Sequence, residues 1–193
     1  MPQQLILAST SPYRKQLLEK LHLPFTTDKP FVDETPIPNE TAVQLVERLA
    51  IAKAQALVSK HPNALIIGSD QVCVNNNVIL GKPGNFDTAF AQLRAASNKS
   101  ITFYTGLALI NSTTGNTQFL VEPFTVKFRQ LTDLMIKNYL EKEQPYNCAG
   151  SFKSEGYGVV LFDSLEGKDP NSLIGLPLIS LIKLLEAEGF KVI

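Results

Sequence analysis

No tryptophan occurs in these 193 residues, and cysteine, histidine and methionine appear only twice each. Cys73 and Cys148 lie far apart, so the expectation is two free thiols in a reducing compartment, the cytoplasm, and not a disulfide framework. His22 and His61 share no metal-ligand spacing with each other or with a cysteine. That sets aside a His-based zinc site and a Ser-His-Asp triad. Hydrolytic chemistry here would have to rest on carboxylates, lysines and a hard metal. Lys+Arg and Asp+Glu number 18 each, so the net charge is zero. Neither nucleic acid nor an anionic membrane is then expected as a partner, and any anion site must be local. No run of about 18 apolar residues exists, so no spanning helix is expected. A basic n-region ahead of an apolar stretch is also missing, so no signal peptide is expected. With 44% hydrophobic residues the chain can bury one sizeable core.

What is present is organised around Leu5-Ile6-Leu7-Ala8-Ser9-Thr10-Ser11-Pro12-Tyr13-Arg14-Lys15. Leu5–Ala8 reads as a strand covered on both faces. Ser11-Pro12 starts a helix, Ser as cap and Pro pre-set for the first helical position. Leu17, Leu18 and Leu21 continue it at helical spacing. Free amides and the positive dipole end at the turn, with the hydroxyls of Ser9, Thr10 and Ser11 and the planar fork of Arg14, make what a phosphate site needs. The alternative is an ordinary capped helix with a surface arginine. It is not a P-loop, since the Gly-rich loop and its Gly-Lys-Ser/Thr ending are absent.

Phe25–Thr27 reads as a strand, and 30–38, with three prolines, as an extended loop carrying Asp33 and Glu34. Thr41 to about Lys60 is a helix opened by a Thr41/Gln44 capping box, with Val46, Leu49, Ala50, Ala54 and Leu57 as its apolar stripe. Lys53 falls inside that stripe, where a lysine either snorkels outward or serves a site. Ala64–Val74 is a second buried strand interrupted by Ser69-Asp70-Gln71. A carboxylate there needs a cation, a metal or several donors. Gly68, two residues from Asp70, shares its face and is expected to leave room beside it. Asn75–Asn77 turns the chain into strand Val78–Leu80, and Gly81–Gly84 places Lys82 on a rigid loop. Asn85–Ser97 is a helix. Residues 100–128 form a long hairpin, turning at Thr113–Asn116 and broken at Pro123, which suggests an edge or a bulge. Leu131–Glu143 is a helix capped by Thr132. The Gly-rich loop Cys148–Gly158 precedes a strand, Val159–Phe162. A polar turn, Glu166–Ser172, then supplies Asn171 or Ser172 as cap to a last helix, Leu173–Glu188, with Pro177 near its start. The element order predicts a mixed α/β fold, a sheet with helices on its faces.

Ser9–Arg14, Lys53 and Lys82 suit an anion, and Asp70 and Glu34 suit a divalent ion or base work. A triphosphate, a hard cation and a carboxylate base would satisfy all of them together.

The chain resembles the Maf family of nucleotide pyrophosphatases. The likeness rests on Ala-Ser-Thr-Ser-Pro-Tyr-Arg-Lys at 8–15, Val-Asp-Glu-Thr at 32–35, Ala-x-x-Lys-Ala around Lys53, Gly-Ser-Asp-Gln-Val at 68–72 and Gly-Lys-Pro at 81–83. Ala-Gly-Ser-Phe-Lys-Ser-Glu-Gly at 149–156 and Ile-Gly-Leu-Pro at 174–177 extend it over nearly the whole chain. Within the family it is most similar to the YceF-type branch associated with 7-methyl-GTP. The dTTP/UTP branch has Arg, Thr and Gln where this chain has Tyr13, Gln71 and Glu155, which makes these three the residues of substrate specificity.

The resemblance implies one domain over residues 1–193, a mixed twisted sheet flanked by helices in an inosine-triphosphatase-like (Maf/Ham1) architecture with two lobes around a central cleft. It implies hydrolysis of a nucleoside triphosphate to monophosphate and pyrophosphate, a divalent cation (Mg²⁺ or Mn²⁺), often a homodimer, and a link to cell-division arrest. The family's proton acceptor falls on Asp70. Ser9, Thr10, Arg14, Lys53 and Lys82 would hold the phosphates, and Asp70 with Glu34 the metal. The chemistry of 7-methylguanine fits: Tyr13 can stack on a cationic base and Glu155 can accept from its N1 and N2 edge. An inosine- or xanthosine-type triphosphatase and a non-catalytic nucleotide-sensing regulator of division are the competing expectations.

Overall fold

The computed structural model describes residues 3–193. Its elements run β1 (Gln4–Ala8), α1 (Pro12–Glu19), β2 (Thr26–Asp28), α2 (Ala42–Gln55), β3 (Ala64–Asn75), β4 (Val78–Leu80), α3 (Phe86–Ala96), β5 (Ser100–Asn111), β6 (Thr117–Phe128), α4 (Asp133–Glu143), β7 (Phe162–Gly167), α5 (Pro170–Ile174) and α6 (Leu178–Ala187). Seven strands form one sheet in the order β2-β1-β3-β5-β6-β7, with β4 paired to β3 off that path. β1 is parallel to β2 and β3, whereas β4 and β7 are antiparallel to β3 and β6. This is the mixed α/β class expected. The chain divides into two units, one of Met1–Gln71, Thr105–Glu122 and Asp169–Ile193, the other of Val72–Tyr104 and Pro123–Lys168.

In the first unit the sheet is covered on both faces, and strand alternation sorts the side chains. Leu5, Leu7, Leu65, Ile67, Leu107 and Leu109 pack with Leu17 and Leu18 of α1 and Leu178, Leu181 and Leu185 of α6. Ile6, Ala8, Ala64, Ile66 and Ile110 point the other way, onto Ala54 and Leu57 at the end of α2. The α2 stripe is buried as expected, and the Thr41/Gln44 capping box is formed. Gly68 has a different use from the one expected. A Cβ there would lie 2.0 Å from the Ala50 carbonyl oxygen, and one at Gly106 on β5 would lie 2.2 Å from that of Val46. The missing side chains let the α2 backbone rest directly on β3 and β5, so the space beside Asp70 is taken by the helix.

The loop between β2 and α2 is extended, as its prolines require, and Arg48 of α2 ties it down. Arg48 Nε and Nη2 grip the Glu40 carboxylate at 2.6 and 2.8 Å, and Nη2 also donates to the Thr35 carbonyl at 3.2 Å. Glu40 Oε2 in turn accepts the Ile37 N–H, and these contacts hold the Glu40 pKa at about 2.

The second unit is built on aromatic packing. Phe152 meets Phe103, Phe128 and Phe162 edge to face at centroid distances of 5.4, 5.5 and 4.9 Å. Two chain segments differ from expectation. Val159–Leu161 lies in a 3-10 turn, Tyr157–Leu161, and the strand begins only at Phe162. The Phe162 N–H closes back on the Val159 carbonyl, which coils the chain where its apolar run reads as extended. The expected last helix is two helices. Gly175, at φ +124, breaks the chain after α5, and Pro177 becomes the cap of α6. The cap of α5 is Asp169, not Asn171 or Ser172. Pro123 lies where the β6–β7 pairing, Phe124–Phe128, stops, and the irregularity falls between Lys127 and Phe128.

Gly68→Ala should therefore force α2 off the sheet, at a cost of about 1–3 kcal/mol. Urea unfolding reads this as a lowered midpoint; a midpoint equal to that of the parent protein would show that the close approach is not a constraint.

Candidate active site

Strand alternation turns Asp70 to the same side of β3 as Gly68, toward α2, and turns Ser69 and Gln71 to the other. Lys53, one turn beyond the point where α2 touches Gly68, meets Asp70: Nζ donates to Oδ1 at 2.6 Å. Both residues are buried, with 6% and 8% of their surface exposed. The same ammonium reaches Glu34 Oε1 at 2.9 Å, and that side chain is 60% exposed. Lys53 thus does not snorkel to solvent; it bridges two carboxylates. A buried pair of this kind is costly to break, because either partner alone is an uncompensated charge. Asp70 Oδ2 and Glu34 Oε2 accept no hydrogen bond from the described residues.

Arg14, in the first turn of α1, is half-buried, and its Nε donates to the Gly175 carbonyl at 2.8 Å. Its two terminal nitrogens make no hydrogen bond to the described residues. Burial lowers the Arg14 pKa from the ordinary guanidinium value, while the charges of Asp70 and Glu34 act in the opposite sense. Ser69 Oγ donates to the carbonyls of Gly175 and Gly106 at 3.0 and 2.8 Å. One backbone carbonyl therefore anchors both Arg14 and Ser69. Gln71 Nε2 donates to the carbonyls of Ser172 and Leu173 at 2.7 and 3.1 Å and to Thr105 Oγ1 at 2.9 Å. Its amide is thus joined to the end of α5. Ser9 is buried, with Oγ accepting the Ser11 N–H at 3.1 Å; Thr10 is exposed and Tyr13 half-buried. Ser11 caps α1 by accepting the Arg14 N–H.

Arg14, Glu34, Lys53 and Asp70 are therefore brought together within the first unit. Lys82 and Glu155 belong to the second. Lys82 is exposed between β4 and α3 and pairs with no carboxylate among the described residues. Glu155 is exposed and accepts from Ser154 Oγ at 3.3 Å.

Asp169 is a residue that sequence reasoning missed. It is fully buried, and its two carboxylate oxygens accept from Asn171 N–H and Ile179 N–H, capping both α5 and α6. Asp-Pro at the head of a helix is its sequence signal. Arg48 and Glu40 were likewise not singled out; no local pattern marks a pair eight residues apart across a loop.

Among the described residues no group of three His, Cys, Asp or Glu side chains stands ready to hold a metal. Two hard carboxylates on one ammonium suit a cation that arrives with phosphate oxygens as further ligands, which is how Mg²⁺ is commonly bound. Asp70 and Glu34 are the donors that fit it.

Residues 4–188 match the model of the Maf-like protein family. The chain is 62% identical over 189 residues to a protein of Colwellia psychrerythraea named 7-methyl-GTP pyrophosphatase, covering 98% of this chain and 94% of that one. It is 58% identical over 190 residues to one of the same name from Vibrio vulnificus, covering 98% and 97%. A third of that name, from Nitrosococcus oceani, is 55% identical over 192 residues, covering 100% and 96%. Among solved structures, a Ham1 protein of Staphylococcus aureus superposes with a TM-score of 0.53 at 11% identity over 96% of this chain and 100% of that one. A HAM1 protein of Coxiella burnetii gives 0.52 at 14% identity over 96% and 99%. These two likenesses are of fold alone. By the span of its match and the near-full-length identity to these relatives, the chain belongs to the Maf-like protein family.

Proposed function

We propose that this protein is a nucleoside triphosphate pyrophosphatase that hydrolyses 7-methyl-GTP to 7-methyl-GMP and pyrophosphate. The observation that carries the reading is the 55–62% identity, over nearly the whole chain, to relatives named for that activity. The charges gathered around Lys53 give it a chemical basis. Arg14 offers its two terminal nitrogens to phosphate oxygens while Nε stays on Gly175. Lys53, with one ammonium hydrogen left after its two carboxylates, contributes positive charge to the pyrophosphate as it leaves. Ser9 and Thr10 add hydroxyl donors, and Lys82 adds a further cation. Asp70 orients a water for attack on the α phosphorus and takes its proton at Oδ2. The new bond forms to the water oxygen as the bond from the α phosphorus to the bridging oxygen breaks. A Mg²⁺ or Mn²⁺ ion, when bound at Asp70 and Glu34 with the triphosphate, supplies neutralisation of phosphate charge. Tyr13 stacks on the cationic methylated base, Glu155 accepts from its N1 and N2 donors, and Gln71, on β3 with its amide tied to α5, supports specificity. The reading takes residues 1–193 as one domain. A cytoplasmic setting is in keeping with a chain of only two cysteines, far apart in the sequence.

Pyrophosphate release from 7-methyl-GTP, GTP, dTTP, UTP and ITP, with Mg²⁺ or Mn²⁺ and with chelator, tests the reading. Selective turnover of 7-methyl-GTP that chelator abolishes is the expected result; preference for dTTP, UTP or ITP would discard the substrate. Asp70→Asn keeps an acceptor for Lys53 but cannot take a proton, so kcat should fall by about 10²–10⁴-fold with nucleotide binding retained. Near-normal turnover would remove Asp70 from the base role. Tyr13→Ala should lower the preference for 7-methyl-GTP over GTP by the worth of a cation–π contact, about 0.5–2 kcal/mol, read as the ratio of the two kcat/KM values. An unchanged ratio would sink the stacking role.

A further inference from the structure

The exposed loop that carries Glu155 is held to α4 by one carboxylate. Glu143, the last residue of α4, receives the Lys153 ammonium on Oε1 at 3.0 Å and the Tyr157 N–H on Oε2 at 2.8 Å. These two contacts pin the residues on either side of Glu155, two positions before it and two after. Glu143 is well shielded, with 15% of its side chain exposed, so neither contact is diluted as an open surface pair would be. Tyr139, one turn earlier on α4 and 1% exposed, strengthens the same grip. Its hydroxyl accepts the Lys153 N–H at 3.2 Å, and its ring stacks on that of Tyr157 at 6.0 Å. The Lys142 ammonium lies 5.2 Å from the Tyr157 ring centroid on the same side. Within the loop, the Gly156 and Gly158 N–H groups both turn back to the Lys153 carbonyl. The loop is therefore a closed turn tied at both ends, with the Glu155 carboxylate at its exposed apex.

From this geometry we infer that Glu143 is a positioning residue for substrate specificity: by clamping Lys153 and Tyr157 it fixes where Glu155 meets the N1 and N2 edge of the guanine base. The inference rests on the assignment of Glu155 to that edge in the proposed function. A rigid acceptor discriminates because a base lacking the 2-amino donor leaves one of its oxygens unpaired, whereas a mobile one relaxes back to water. Glu143 itself touches no substrate, so its loss should show in base discrimination and not in the hydrolysis of every nucleotide.

The test compares kcat/KM for 7-methyl-GTP with that for 7-methyl-inosine triphosphate, which keeps the cationic ring but lacks the 2-amino group. Glu155→Ala should lower this ratio by about tenfold or more. Glu143→Ala should lower it by up to about tenfold, and Glu143→Gln, which keeps size and one acceptor, by less. Turnover of the inosine analogue should stay within about twofold of the parent protein in the two Glu143 variants. In the Glu155→Ala background, adding Glu143→Ala should change the ratio no further, since the two act as one unit. Equal loss on both substrates would mark Glu143 as merely structural and overturn the inference. So would an intact ratio in the Glu143 variants when Glu155→Ala lowers it. If Glu155→Ala itself leaves the ratio intact, the base-edge assignment falls and the inference falls with it. Should Glu143→Ala not fold, Glu143→Gln carries the same comparison.

Discussion

The close approach of α2 to the sheet is the constraint on which the rest of the first unit depends. Only hydrogen separates the Gly68 and Gly106 Cα atoms from the carbonyls of Ala50 and Val46. At that distance a lysine one turn further along the helix reaches a strand carboxylate two residues further along the strand, and Lys53 Nζ comes to 2.6 Å from Asp70. The pair lies almost wholly out of water, where each charge alone would be costly and the two together are tolerated. Two glycines with no polar atom in their side chains therefore decide whether two charged residues can occupy the core.

The second organising feature is the period of the strand. Three consecutive polar residues on a buried strand would be hard to satisfy on one face. Alternation sends Asp70 to α2, Ser69 to the turn after α5 and Gln71 to the end of α5 itself, so each meets its own set of partners. The backbone of that turn is correspondingly unusual. Gly175 holds φ at +124, which presents its carbonyl to Arg14 and Ser69, and Asp169 fixes both helices that flank it. The placement of Arg14 thus depends on a backbone conformation 161 residues away.

Much of this was legible in the sequence, and what was not has a common cause. The strand at Leu5–Ala8, the Ser11 and Thr41 caps, the α2 stripe and the need of Asp70 for a counter-charge are local patterns, and local patterns are what a sequence states directly. The misfit of Lys53 with its stripe marks it as a site candidate from the sequence alone. The meaning of Gly68 was inverted because alternation tells which face a residue shares but not what lies across from it. The break at Gly175 was read through because Leu173–Leu185 is apolar at helical spacing and Pro177 suits a first turn as well as a cap. The strand at Val159 starts late for a related reason: four apolar residues look extended, but a hydrogen bond from the Phe162 N–H to the Val159 carbonyl coils the first three. Asp169, Arg48 and Glu40 act through partners that no sequence spacing connects. Glu143 did not stand out either, since a glutamate ending a helix looks like any solvated terminus.

Charge balance links the cluster to the proposed reaction. Arg14 and Lys53 carry one positive charge each, and Asp70 and Glu34 one negative charge each, so the four residues sum to zero. Within the set, Lys53 and Asp70, the two most buried charges, answer one another directly. A triphosphate brings several negative charges to that neutral set, and Lys53 cannot turn wholly to phosphate without abandoning Asp70 and Glu34. In the proposed reaction a divalent cation held by Asp70 and Glu34 would meet that shortfall by neutralising phosphate charge. On this argument the metal would serve less to assemble the cluster than to let a highly charged substrate approach it, and Asp70, in its proposed role as base, would act from Oδ2 while Oδ1 stays on Lys53.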